Sequence, residues 1–166
     1  MPFTDPSEMP SHIADELVAT VHAAEPALRA LTDAIVAIRP APDRWTIKEV
    51  VGHLIDSAAN NHQRFVRAQF TARLVFPDYE QNEWVNSQNY RDAGWQGLVD
   101  LWSVYNRHLA HVIRNIPTSA LAVECKIGDY EPVSFQFLME DYVVHLKHHL
   151  KKIAERLNMN PNKLGS

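Results

Sequence analysis

An all-α fold of four long helices is what this sequence predicts, on two observations. Glycine occurs only 5 times in 166 residues, and apolar residues recur at helical spacing over most of the chain. The length fits a single domain over 1–166, with a helical core at about 11–158, large enough to bury a core without covalent staples.

The first helix is predicted from Ser11 to about Arg39, where Ile13, Leu17, Val21, Leu28, Leu31, Ile35 and Ile38 keep roughly helical spacing. Pro26 removes one backbone donor inside it, so a kink or break is expected there. Pro40-Ala41-Pro42 ends it.

The second helix starts at Thr46, which forms a capping-box pattern with Glu49, and Trp45 stands before it as a hydrophobic staple. Val50, Leu54, Ala58, Asn61, Phe65, Ala68 and Ala72 mark one face and carry it to about Arg73. A third helix covers about Trp95 to Ile116, with a stripe of Leu98, Leu101, Trp102, Tyr105, Leu109, Val112 and Ile116. The fourth, about Ser134 to Asn158, buries Leu138, Tyr142, Leu146, Leu150, Ile153 and Leu157, and Asn158 and Pro161 close it.

Connection lengths bear on topology. The short Pro-rich turn makes helices one and two antiparallel neighbours. The link from Leu74 to Gly94 is long enough to cross the end of a bundle, so that helix three can run parallel to helix two. Within Thr118 to Pro132, the run Ala122 to Tyr130 is expected to form a small hairpin that roofs a pocket.

Composition narrows the function. Cys125 is the single cysteine, which excludes an internal disulfide framework and a cysteine-rich zinc site. A formal net charge of -4 with interspersed signs argues against a nucleic-acid surface. No apolar run approaches the ~20 residues needed to span a bilayer. Met1 to Pro6 lacks a basic region followed by an apolar one, so a cytoplasmic protein without a secretory signal is expected.

The histidines carry the chemistry. His145 and His149 sit four apart in a helical stretch, one turn apart on one face, and His53 lies at the border of the second helix. A lone boundary histidine is ordinarily a satisfied core residue. Three at inward or boundary positions, two of them one turn apart, can grip one metal ion and leave a coordination position open, the mark of a catalytic site. Leu146 stands where the HExxH pattern of proteases has glutamate. His148 points toward the polar side, His111 to solvent, and His12, His22 and His62 read as surface residues.

Asp141, one turn before His145, is either a partner for its second ring nitrogen or an exposed carboxylate near the helix start. Asp56 is a candidate base or extra ligand, against the plainer reading of a solvated helix face. Arg64 and Arg67 are candidate anchors for an anionic substrate, or ordinary surface arginines.

The segment Pro40 to Ser57, with Thr46-Ile47-Lys48-Glu49-Val50-Val51-Gly52-His53, resembles the start of helix two in the DinB superfamily of DinB/YfiT-like metalloenzymes. His145-Leu146-Lys147-His148-His149-Leu150-Lys151-Lys152-Ile153 is similar to its closing motif, with Lys152 where many relatives have glutamine. The resemblance covers about Ile13 to Ile153 in element order and spacing. It implies a four-helix bundle of up-down-down-up topology, often a homodimer, with a divalent-metal site on His53, His145 and His149.

Relatives of that kind include bacillithiol- and mycothiol-dependent S-transferases, a thiol-dependent maleylpyruvate isomerase and metal-dependent hydrolases. The expectation is therefore a metal-dependent thiol S-transferase or hydrolase acting on a small molecule, with Asp56 and Arg64 as its candidate catalytic side chains. Zinc or nickel is the expected ion, and a low-molecular-weight thiol the expected co-substrate. The contrasting class is a non-catalytic metal-binding stress-response or dimerisation module. Trp84, Trp95, Trp102, Phe70 and Phe76 are many large aromatics for one small bundle, which points either to a homodimer or to packing under the long crossover.

Overall fold

The computed structural model describes residues 5–158. Four long helices dominate: α1 (Met9–Arg29), α3 (Ile47–Arg67), α5 (Trp95–Arg114) and α6 (Phe135–Arg156). Two short ones, α2 (Asp33–Val36) and α4 (Gln81–Ser87), lie in the connections. The strands β1 (Arg73–Phe76), β2 (Glu124–Ile127) and β3 (Val133–Ser134) form one small sheet in that order, β1 parallel and β3 antiparallel to β2. An all-α description thus holds for the bulk of the chain and needs the sheet added to it.

The first helix departs most from its sequence expectation. It ends at Arg29, not Arg39, and runs through Pro26 without the break expected there, its last turn closed by the Ala30 N–H on the Pro26 carbonyl at 3.1 Å. Thr32 then restarts the chain as α2, its side chain accepting from the Ile35 backbone N–H at 3.3 Å. Ile35 and Ile38, assigned to the buried stripe by spacing, are exposed, and Val36 is buried instead.

The capping box of α3 is present as read. The Thr46 hydroxyl accepts from the Glu49 N–H, and the Glu49 carboxylate accepts from the Thr46 N–H at 2.8 Å. Arg39 closes a salt bridge on the same carboxylate. The far end stops at Arg67, and Arg73 opens β1 rather than closing a helix. Leu74 faces inward there and pairs with Cys125 of β2.

Gly128, at φ +50°, makes the turn after β2 in the left-handed region that glycine adopts without strain. A hairpin therefore forms here, but its second strand, Val133–Ser134, lies beyond the expected run Ala122 to Tyr130, and β2 is at the centre of the sheet.

The core lies among the long helices, with α1 and α3 each packing against both α5 and α6. Leu17, Leu28, Leu54, Phe65, Leu109 and Leu146 are all fully buried. Trp95 and Trp102 belong to this core, and the Trp95 indole N–H donates to the Leu28 carbonyl at 2.9 Å. Of the other aromatics expected to exceed the monomer core, Phe70 is largely exposed and Trp84 partly so. No helix of the described residues is long and apolar enough to cross a membrane.

Candidate metal centre

The two helices that carry the histidines are tied at one end. Arg156, the last residue of α6, donates from Nη1 to the carbonyl of Trp45, just before α3 begins. His53 lies six residues beyond Ile47, and His149 seven before Arg156. At 1.5 Å per residue both stand roughly 10 Å down their helices from the tie. The sequence thus brings them to one depth, and the i+4 repeat adds His145 one turn along the same face of α6.

Within this arrangement, Nε2 of His145 lies 3.3 Å from Nε2 of His53 and 3.1 Å from Nε2 of His149. The three donor atoms all fall within 4.8 Å of one another, the only such grouping of potential metal ligands among the described residues. His53 is fully buried, and the other two are half-buried. The Trp45 ring packs on His53 with centroids 4.9 Å apart.

Burial pushes the His53 imidazole down to about 3, and the neighbouring His149 and His145 push the same way. His149 is lowered to about 4 by burial and then by His145 and His148. His145 is also lowered, burial outweighing the opposing pull of Asp141. All three rings are therefore neutral at pH 7, the form that offers a lone pair to a metal.

These residues fit a divalent ion. With metal–nitrogen bonds of about 2.0–2.1 Å, two ligands on a tetrahedral centre stand roughly 3.3 Å apart. Two of the three separations, 3.1 and 3.3 Å, match that edge, and the third pair lies within 4.8 Å. Converging neutral nitrogens also gain more from a shared cation than from one another, since a ring donating from Nδ1 has only a lone pair at Nε2. The Nδ1 of His53 is buried without a hydrogen-bond partner.

The remaining sequence candidates distribute as follows. His148 is exposed and outside the trio. Asp141 is exposed too and makes no hydrogen bond to His145. Asp56 is buried, not on a solvated face. Its Oδ1 accepts from the Tyr90 hydroxyl at 2.6 Å and from Gln88 Nε2 at 2.8 Å, and burial raises its pKa. Arg67 is exposed and bonds Gln63, whereas Arg64 is buried. His62, read as a surface residue, is half-buried against Tyr105, whose hydroxyl lies 2.9 Å from its Nδ1.

A cavity of about 430 Å³ reaches this centre. Its wall includes Ser57 and Arg64 of α3, Tyr79 of the crossover, Cys125 of β2, and Tyr142 and His145 of α6. The hairpin connection expected to roof a pocket supplies part of that wall. Sequence reading missed Tyr79 and its neighbour Asp78, since nothing in their spacing ties the crossover to α3. Cys125 is pushed up to about 11 by burial and so stays a protonated thiol.

Comparison with known proteins places the chain. The chain is 24% identical over 116 residues to "Putative metal-dependent hydrolase YfiT" of Bacillus subtilis, which covers 67% of this chain and 63% of that protein. A protein of Halalkalibacterium halodurans with the same description is 24% identical over 113 residues, 68% of this chain and 66% of that one. Each alignment thus spans just under two thirds of the relative's length. The solved structure of Bacillus subtilis YfiT, described as an unusual four-helix bundle, superposes with a TM-score of 0.78 at 18% identity. That superposition covers 96% of this chain and 94% of the other, and at such identity it speaks for the fold. The family model of the DinB superfamily matches residues 16–153, most of the chain, and the chain therefore belongs to the DinB superfamily.

Proposed function

We propose that this chain is a divalent-metal-dependent enzyme acting on small molecules, a thiol S-transferase or a hydrolase. The observation that carries the reading is the position of His145. It is at once the middle of the three converging imidazoles and part of the cavity wall. A metal held only for structure needs no such access. A divalent ion bound there supplies Lewis acidity, lowering the pKa of a thiol or water so that a nucleophile is available near neutral pH. Three neutral imidazoles suit zinc, nickel, copper and iron, and zinc or nickel is the ion this reading takes.

The chain's own residues divide the remaining work. Cys125 shares the cavity but is fully buried and lies outside the three-histidine grouping, which argues for an external thiol or water as the nucleophile. Asp56 acts as a positioning residue: its bonds to Tyr90 and Gln88 hold the crossover against α3. The same reading takes the long helices in up-down-down-up order, supported by the parallel pairing of β1 and β2, which follow α3 and α5.

The test supplies monochlorobimane or a chloronitrobenzene with several low-molecular-weight thiols, and simple esters without thiol. Transferase chemistry gives a rate that depends on the thiol chosen and vanishes on chelation. Hydrolase chemistry gives turnover with no thiol present. Metal-loaded protein that accelerates neither reaction over its His53→Ala variant would favour a non-catalytic metal-binding module.

A further inference from the structure

Arg64 is a buried cation whose hydrogen-bonding capacity is mostly unused. Its side chain is 8% exposed. Nη1 donates to Asn61 Oδ1 over a long 3.4 Å, while Nε and Nη2 have no hydrogen-bond partner. The carboxylate of Asp78 stands 4.0 Å from Nη2, an ion pair without a hydrogen bond. The Phe76 ring, 5.7 Å from Cζ, offers only a weak compensating contact. A desolvated guanidinium left so incompletely paired is costly to fold around.

Nε and Nη2 share one edge of the guanidinium, the edge that takes two oxygens of one anion through parallel N–H···O bonds. Asp78, Tyr79 and Cys125 line the same cavity as Arg64, and His145 lines it too. We propose that Arg64 anchors an anionic oxyacid group, carboxylate or phosphate, on the small molecule that occupies this cavity. The inference rests on the enzyme reading above and names the substrate class for it.

Asp78, Glu131 and Asp141 also line the cavity and would repel an anion. All three are exposed, so water and salt weaken their repulsion without abolishing it, Asp78 at 4.0 Å from Nη2 acting most directly, while the charge of Arg64 acts from a poorly hydrated wall. The buried cation therefore dominates for an anion that reaches it.

Calorimetric titration of the full chain, as purified with its metal, tests the anchor with benzoate, phenyl phosphate and neutral benzamide. One or both anions bind at least about ten-fold tighter than benzamide, and the tighter one identifies the group. Arg64→Gln removes this preference without lowering metal content, and Arg67→Gln preserves it. Asp78→Asn, at an exposed position, raises anion affinity by removing the competing carboxylate, and this arm decides the matter if Arg64→Gln does not fold.

The proposal is overturned if Arg64→Gln keeps anion affinity within about two-fold of the parent, as an anion held at the metal alone would. It is overturned equally if the anions bind no better than benzamide, or if Asp78→Asn leaves affinity unchanged. Arg64-dependent binding in a chain that turns over nothing would sink the enzyme reading and support the anchor. Turnover without such binding would do the reverse.

Discussion

The hydroxyl of Tyr90 donates to Oδ1 of Asp56 at 2.6 Å, three residues along α3 from His53. Gln88 donates to the same oxygen, so two residues of the crossover converge on one desolvated carboxylate. Gly52 makes the approach sterically feasible. A Cβ at that position would lie 2.2 Å from the Tyr90 ring, inside any permissible contact. The residue before a candidate metal ligand thus has no side chain because the crossover lies directly on it.

Gly52→Ala is expected to displace Tyr90 and destabilise the fold by about 1–3 kcal/mol through overpacking. Tyr90→Phe keeps the ring and removes one hydrogen bond to a buried carboxylate, costing about 1–2 kcal/mol. Urea denaturation measures both. Tyr90→Phe should retain metal stoichiometry, since none of its lost contacts involves a histidine. A Gly52→Ala protein as stable as the parent would show that the crossover does not need this close approach.

How much of this was legible in the sequence follows from how local each signal is. The capping box at Thr46 and Glu49 involves neighbours in the chain and reads directly. The i+4 pair His145 and His149 is equally local, and the border position of His53 on its helix made it a credible third member. Ile35 and Ile38 misled because their spacing continued the α1 stripe, although α1 ends at Arg29 and the cap at Thr32 starts a separate helix. Asp56 looked like a solvated carboxylate because its partners, Tyr90 and Gln88, lie more than thirty residues away. Strand β1 was hidden for the same reason, since a four-residue strand is recognisable mainly by its partner.

Glu25 provides a pH-dependent link between α1 and α5. It accepts from Arg29, from Arg107 at 2.9 Å and from the Ser103 hydroxyl at 2.8 Å. Bonds to Arg29 and then Arg107 lower its pKa from 4.5 to about 2. A carboxylate depressed in the folded state stabilises it fully above the unfolded value, and that contribution is lost as pH falls from about 4.5 to about 2. The site is partly exposed, so solvent screening reduces the effect to about 1 kcal/mol, roughly 3 °C in Tm. Thermal melts of Glu25→Gln should run below the parent at pH 6 and converge with it near pH 2.5. A constant offset across that range would exclude Glu25 as the source.

Metal binding should appear as stability. Three neutral imidazoles already converge in the folded chain and are scattered when it unfolds, so a divalent ion binds the folded state selectively. Free ion at about 100 times its Kd adds roughly 2.7 kcal/mol. Chelator-stripped protein should therefore gain several degrees in Tm when zinc or nickel is restored, and His53→Ala should gain little. Equal gains in the two proteins would place the stabilising ion elsewhere.

The sharpest prediction separates His148 from His149. On an ideal helix, seen from His145, residue 149 is displaced by about 40° and residue 148 by about 60° the other way, so both lie on neighbouring faces. The packing of α6 decides between them. His149 is half-buried with Nε2 3.1 Å from that of His145, while His148 is exposed and its ring centroid is 5.5 Å from that of His149. About one ion per chain is the expected content, and His149→Ala should remove nearly all of it, as measured by elemental analysis after desalting. His148→Ala should keep most of it, because an exposed ring outside the trio offers the ion no converging ligand atom. Equal loss from the two substitutions would mean that His148 shares the ligand role, and the site would then have to be rebuilt around a rotated α6.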